Sequence, residues 1–292
     1  MAACEQSGNT QESTHAAVAE APATHLGGCI LLEPNRQSPD NLHAAGNVVA
    51  TNEIAPFSKM LLVNGLTLAA RDEISDEFMT LVARTIAEIF PQNPDLDLEM
   101  QARVIDNHYR YSALIPVPNG DDFSFMEDNQ EQWAVLESQY SICDIIMQDV
   151  RGQVMEVIEH ILHYVTDIGL HYAYPDVWGI SEQSQLAAAM RKAVDMGYYD
   201  ISSYDDIDDV EARNRVEMQE FAYWFVSTAW NLQADYGPVW EQEWTIRDRT
   251  ELKEKLPEFF AAYEQTVDRV MVAPSLETLA MIGPTRAEEA QN

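Results

Sequence analysis

The chain has 292 residues, 46% hydrophobic and 9% aromatic, enough to bury a substantial core and too many for a wholly disordered protein. Its 49 acidic residues against 17 basic ones leave a net charge of −32, which repels phosphate backbones and argues against nucleic acid as a partner. No apolar run approaches the roughly 18 residues that a membrane-spanning helix needs.

Met1-Ala2-Ala3-Cys4 followed by EQSGNTQEST is similar to the end of a bacterial lipoprotein signal, in which small residues precede a Cys that becomes lipidated. That reading makes Cys4 a lipid anchor, the one link to a membrane. It places the protein in the bacterial cell envelope as a periplasmic or surface lipoprotein, with secretion as the alternative; an incidental Cys4 is the competing reading. Cys29 and Cys143 then remain as a pair that an oxidising compartment would allow to bridge, although sequence cannot supply the geometry. Residues 5–28, rich in Ala, Ser, Thr, Gln and Gly, read as a flexible tether. Cys29 to Phe57 reads as an irregular arm with one apolar patch at Ile30–Leu32. Residues 1–57 are thus tether and arm, 58–280 a single folded domain, and 281–292 a disordered tail.

The fold class expected for 58–280 is α+β. Met60–Val63 and Leu66–Leu68 flank Asn64-Gly65 as a tight hairpin. Ser75 is placed as an N-cap with Asp76 and Glu77 in the first turn, and Phe78, Leu81, Val82, Ile86 and Ile89 follow at helical spacing until Pro91. A second helix over Leu98–Asp106 and a strand over Tyr111–Val117 complete a strand–helix–helix–strand half across 58–130. The half from 131 to 280 reads as mainly helical. Its helices are expected at Gln132–Val150, 151–170, Gln185–Met196, Glu211–Gln233 and Glu251–Val270, with Tyr198–Val210 as an acidic loop. The acidic runs around Asp95–Glu99 and Asp205–Asp209 lack the glycine and ligand order of an EF-hand and read as solvated loops.

Three of the seven histidines, His160, His163 and His171, fall in EVIEHILHYVTDIGLHY, residues 156–172. On a helical wheel Glu159, His160, His163, Asp167 and His171 lie within about 60° of Glu156, with Val157, Ile158, Ile161, Leu162, Val165 and Ile168 opposite. A stripe of carboxylates and imidazoles suits a metal, which needs several ligands from rigid elements, and equally suits a face turned to water. Glu159 and His163 stand four residues apart, as two ligands on one helix face do in the zinc peptidases' His-Glu-x-x-His, but here 159–163 reads Glu-His-Ile-Leu-His. His160 and His163, three apart, are the other possible pairing. Glu220 lies in Glu217-Met-Gln-Glu220-Phe-Ala-Tyr223-Trp224, and a carboxylate among so many aromatics needs a partner. A cation at His163 is one; Arg213, Arg215 or a tyrosine hydroxyl are the others.

The order of elements resembles the zincin-like metallopeptidases, above all the branch resembling the anthrax lethal factor catalytic domain. It is also similar to uncharacterised secreted bacterial proteins carrying Glu-Glu-x-x-His, then Thr-Asp-x-Gly, then Glu-Tyr-x-Tyr-Trp. The matching residues here are His163, Thr166-Asp167-Ile-Gly169 and Glu220-Phe-Ala-Tyr223-Trp224, and the resemblance covers about 58–250. It implies a zincin-like fold and a zinc ion held by Glu159, His163 and Glu220. The implied activity is hydrolysis of a peptide or protein substrate, with the zinc polarising a carbonyl and activating a water. His160 stands where the water-activating Glu would be, so His160 is the candidate base. Tyr223 is the candidate oxyanion stabiliser, with core packing as its other reading, and Asp167 a candidate to orient the His163 ring, with a solvated carboxylate as its other reading. The departure at His160 keeps a second reading open: a non-catalytic zincin-like lipoprotein serving as a metal-binding or protein-binding module.

Overall fold

The hairpin forms around Asn64-Gly65, both at positive φ (45° and 78°), as a two-residue turn between antiparallel strands requires. A side chain at Gly65 would put its Cβ 2.4 Å from the Ile105 carbonyl oxygen, so only glycine fits there. These features come from a computed structural model that describes residues 29, 31–43, 45–120, 124–238 and 243–289. Cys4, the 5–28 tether and residues 290–292 lie outside the described residues.

Strand β1 (Val49–Ala50) pairs antiparallel with β2 (Lys59–Val63), and β2 with β3 (Leu66–Ala70), Leu61 opposite Leu68. Helix α1 (Asp76–Ile89) starts where Ser75 accepts the Phe78 N–H, and α2 (Leu98–Arg110) starts where Asp97 accepts the Met100 N–H. One acid of the first acidic run is therefore a helix cap. The chain returns as β4 (Leu114–Val117), parallel to β3, giving a sheet of order β1-β2-β3-β4. The expected strand–helix–helix–strand order is present.

The helix expected over Gln132–Val150 is not. Helices α3 (Ser124–Asp128) and α4 (Gln130–Glu137) are short, and beyond them the chain is extended beside β4. Leu114 N–H donates to the Ser141 carbonyl (3.1 Å), Ile146 N–H to Pro116 (2.9 Å) and Gln148 N–H to Pro118 (2.9 Å). Ile142, Cys143, Ile145 and Ile146 are all buried, and their β-branched side chains suit an extended segment covered on both faces. Cys143 is joined to Cys29 by a disulfide, so the irregular arm is tied to this segment.

Helix α5 (Gln153–Tyr164) runs into a π-helical turn, Val165–Leu170, and then α6 (His171–Ala173) and α7 (Pro175–Trp178). After α8 (Gln185–Asp195) comes α9 (Val210–Ala229), capped by Asp209 from the second acidic run. Asn231, at φ 62°, separates α9 from α10 (Leu232–Asp235), which together replace the single expected helix over 211–233. The helix expected over Glu251–Val270 is likewise divided into α11 (Arg249–Lys255), α12 (Pro257–Gln265) and α13 (Val267–Val270). Pro257 suits a first turn and cannot continue a preceding one.

The C-terminal stretch is also more ordered than its sequence suggests. Helix α14 (Leu276–Ile282) docks on α1, where Glu88 accepts the Thr278 hydroxyl (2.6 Å) and the Ser275 N–H (2.9 Å). Arg286, at the start of α15 (Arg286–Glu289), donates to the carbonyls of Ala234 (2.9 Å) and Gly237 (3.1 Å). Helices α14 and α15 therefore occupy part of the stretch read as a disordered tail.

The architecture is mixed α and β, a small N-terminal sheet followed by a mostly helical remainder. Two helices lie at the centre of that remainder. Residues 160–164 of α5 and 221–226 of α9 are buried without interruption, so neither helix has a wet face along those stretches. No helix among the described residues is long and apolar enough to cross a membrane.

Candidate metal centre

Most of the polar stripe of α5 is turned away from water, Glu159 keeping a partly exposed side chain. His163 is 0% exposed, Asp167 2% and His160 8%, so the solvated-face reading of this segment is overturned. Helix α9 lies against α5 and brings Glu220 to the same place. Ligand atoms of Glu159, His163 and Glu220 all lie within 4.8 Å of one another, so the three residues that the resemblance named as ligands are neighbours.

The orientation of His163 comes from a residue that the sequence did not reveal. Asp144, on the extended segment beside β4, places Oδ2 3.0 Å from His163 Nδ1. Its Oδ1 accepts the Ile145 N–H at 2.8 Å. The Tyr164 hydroxyl fixes the backbone there, 2.6 Å from the carbonyls of both Leu114 and Asp144. With Nδ1 occupied, His163 directs Nε2 toward Glu220 Oε2 at 3.6 Å, beyond hydrogen-bond reach, and this buried nitrogen has no hydrogen-bond partner. Carboxylate on one ring nitrogen and a free second nitrogen is the arrangement that metal-ligating histidines adopt. Asp167, weighed as an orienter of the ring against a solvated carboxylate, is buried and accepts the Thr166 hydroxyl at 3.3 Å, inside the π turn.

His160 is built differently, its Nδ1 being the buried ring nitrogen that no hydrogen bond satisfies. Its Nδ1 lies 3.0 Å from Glu156 Oε1, a close contact off the line of a hydrogen bond, and Glu156 also accepts the Met147 N–H at 2.7 Å. Its Nε2 faces Asp144 Oδ2 at 3.7 Å and Glu159 Oε1 at 3.8 Å. Asp144, His160 and His163 form a second group whose ligand atoms lie within 4.8 Å. Tyr223, 1% exposed, sets its ring edge-on to His163 with centroids 6.1 Å apart. Its hydroxyl accepts the Gln233 amide at 3.4 Å, and burial, helped by the charge of Glu159 close by, pushes its pKa up. His171 is carried out of the stripe by the π turn, and its Nδ1 accepts the Ile180 N–H at 3.1 Å.

The electrostatics follow from five carboxyl groups (Asp144, Glu156, Glu159, Asp167, Glu220) gathered round two imidazoles. Neither arginine considered for Glu220 pairs with it: Arg213 approaches Asp205 (4.0 Å) and Glu217 (3.9 Å), and Arg215 approaches Glu211 (3.4 Å). Burial, and then the charge of Glu220, push Glu159 up to about 8. Burial raises Asp167 to about 7 against the pull of His163. Burial would also raise Asp144, but the two histidines outweigh it and hold its carboxyl below the usual range. Burial lowers both histidines, yet the carboxylates prevail. His160 rises to about 9 under Asp144, Glu156 and Glu159, and His163 rises well above its ordinary value under Glu220 and Asp144. Without a cation the surrounding carboxylates therefore favour the charged form of His160. A divalent cation fits this set: hard carboxylate oxygens and borderline imidazole nitrogens suit zinc and its first-row neighbours.

No family model matches the chain, and comparison with curated proteins and with solved structures likewise finds no match.

Proposed function

We propose that the protein is a zinc protein whose centre is Glu159, His163 and Glu220, and that it is a metal-dependent hydrolase of peptides with a zincin-like plan. One observation carries the reading: the buried Nε2 of His163 has no hydrogen-bond partner and faces carboxylates, while Asp144 holds its Nδ1. Bound zinc would supply a Lewis acid for a substrate carbonyl and for water. Asp144 would fix the tautomer and plane of His163, against which the Tyr223 ring is packed. The disulfide between Cys29 and Cys143 supports a home in an oxidising compartment, in keeping with an envelope lipoprotein anchored at Cys4 or a secreted protein.

A second reading is favoured by His160. It stands where a water-activating glutamate would be, yet it is held between Glu156, Asp144 and Glu159. On that reading the protein binds metal without hydrolysing anything. Elemental analysis of the purified protein tests what both readings share. Stoichiometric zinc is expected, and it should be lost in His163→Ala and in Glu220→Ala. A wild-type protein without metal would sink both. Cleavage of a mixed fluorogenic peptide set, abolished by chelator and restored by zinc, separates them; no cleavage with zinc present leaves the binding module.

A further inference from the structure

We propose that the cavity between α8 and α9 is a binding site for an alkylammonium group, carried by a lysine side chain of a peptide. Glu217 of α9 bears the argument. It lines the cavity, its side chain is only 9% exposed, and its carboxylate accepts no hydrogen bond among the described residues. Its ion-pair partner, Arg213 Nε, stands 3.9 Å away, and Arg213 is shared with Asp205 at 4.0 Å. The Glu217 backbone carbonyl, by contrast, accepts the Tyr199 hydroxyl at 3.0 Å. Burial pushes the pKa of Glu217 up, and Arg213 offsets this only in part. A carboxylate so placed is stabilised by a cation that comes within hydrogen-bond reach.

The cavity holds about 550 Å³, within the roughly 300–1,000 Å³ of small-ligand sites. Its apolar wall comes from Met190 and Val194 of α8, Met218 of α9 and Ile201 of the loop between them. Methionine side chains adapt to irregular guests, and such a wall suits a hydrocarbon stem better than a small hydrated ion. Glu182 and Asp195 stand exposed at the rim. Arg191, the one cation on the lining among the described residues, donates to the Glu182 carbonyl at 3.1 Å. Acid at the rim, oil on the wall and a buried acid match the apolar stem and charged head of lysine. An acidic guest would meet three carboxylates, and a purely apolar one would leave Glu217 buried without a partner. A lysine side chain fills only part of the volume and leaves room for the residues beside it, which favours a peptide over a free amine. None of Glu159, His163 and Glu220 lines the cavity, so the inference stands whether or not they bind metal.

The test is calorimetric titration of the intact chain at about 0.15 M salt, where a Debye length of about 8 Å weakens diffuse attraction to a net charge of −32. The probes are a Gly-Gly-Lys-Gly-Gly peptide capped at both ends, the same peptide with norleucine for lysine, and n-pentylamine. The lysine peptide should bind one equivalent. The norleucine peptide should bind about tenfold more weakly or worse, the loss of one charged contact. Glu217→Gln, which keeps the side chain's size and shape, should weaken the lysine peptide to the same degree and leave the norleucine peptide unchanged. Equal affinity for the two peptides, lysine binding unaltered in Glu217→Gln, or no binding of either amine overturns the site. Tighter binding of the lysine peptide than of n-pentylamine supports the peptide as occupant. Equal or weaker binding overturns the peptide and leaves a free alkylamine. The wild-type comparison of the two peptides decides the matter even if the variant does not fold.

Discussion

His108 on α2 and His163 on α5 are both 0% exposed, and each has an Nε2 with no hydrogen-bond partner, yet their surroundings drive them in opposite directions. His108 donates Nδ1–H to the Asn64 carbonyl (3.2 Å) and otherwise meets apolar matter, with the Phe90 ring edge-on at 6.0 Å. Burial lowers it to about 4, so the ring is neutral at physiological pH. His163, equally dry, is raised because Glu220 and Asp144 outweigh burial. An orphaned, buried imidazole nitrogen is therefore not enough to mark a metal ligand. What distinguishes His163 is that its free nitrogen points at acids, whereas that of His108 points at Gly169.

The contrast can be broken most severely by deleting each ring. His163→Ala should lose at least the 10–100-fold in metal affinity that removal of a mere outer-shell partner costs. His108→Ala should keep the metal stoichiometry of wild type. If the two variants bind metal equally well, the distinction drawn between them is wrong.

A pH series sharpens it. The folded state holds His108 at about 4 against an ordinary 6.5 and so resists its protonation. Its contribution to stability is complete above pH 6.5 and falls away as the pH drops toward 4. The loss amounts to about 3 kcal/mol, at roughly 1.4 kcal/mol per pKa unit. His163 in the metal-free protein has the reverse sign: its contribution is complete below pH 6.5 and lost as pH rises through its elevated pKa. Urea unfolding at pH 7 and pH 4 should show wild type losing more stability than His108→Gln does. Equal losses would place the acid sensitivity elsewhere.

The smallest effect tests the packing between the two regions. A Cβ on Gly169 would lie 2.6 Å from His108 Nε2 and 2.7 Å from Val104 Cγ1. Gly169→Ala should cost about 1–3 kcal/mol through overpacking. Because Asn107 donates to the Gly169 carbonyl at 3.1 Å, the strain should reach the π turn and weaken metal binding modestly. Thermal unfolding with and without metal reads both consequences.

The local elements were the most legible part of the sequence. Asn64-Gly65, the Ser75 cap and the apolar spacing through Ile89 act within a few residues of themselves, so pattern and structure agree there. The neighbourhood of Glu159, His163 and Glu220 was legible too, because the two motifs are short and rich in their residue types. Asp144 was hidden because its segment carries enough apolar residues to pass for a helix, and only pairing with β4 makes it extended. Alternation of Ser141, Cys143 and Ile145 with Ile142, Asp144 and Ile146 was the one available hint, and burial on both faces blurs it. Glu156 was placed on the stripe but given no role, since its bond to the Met147 N–H joins two segments whose approach no local pattern encodes. The π turn escaped notice because a helical wheel assumes an unbroken period, and one wide turn re-aims everything after Val165.

The bond between Cys29 and Cys143, 114 positions apart, encloses the whole sheet with α1 to α4 in a single covalent ring. Helices α5 and α9 hang outside that ring, and the first residue past its closure is Asp144. Opening a ring of this size releases about 4–5 kcal/mol of chain entropy to the unfolded state. It also frees the neighbour of the carboxylate that holds His163. On the proposed reading, a cation at His163 and the sulfur bridge would act on adjacent residues of one extended segment, and whatever effect one has on the other is reciprocal. If that centre holds metal, the redox state of the surroundings and the supply of metal act on the same few residues.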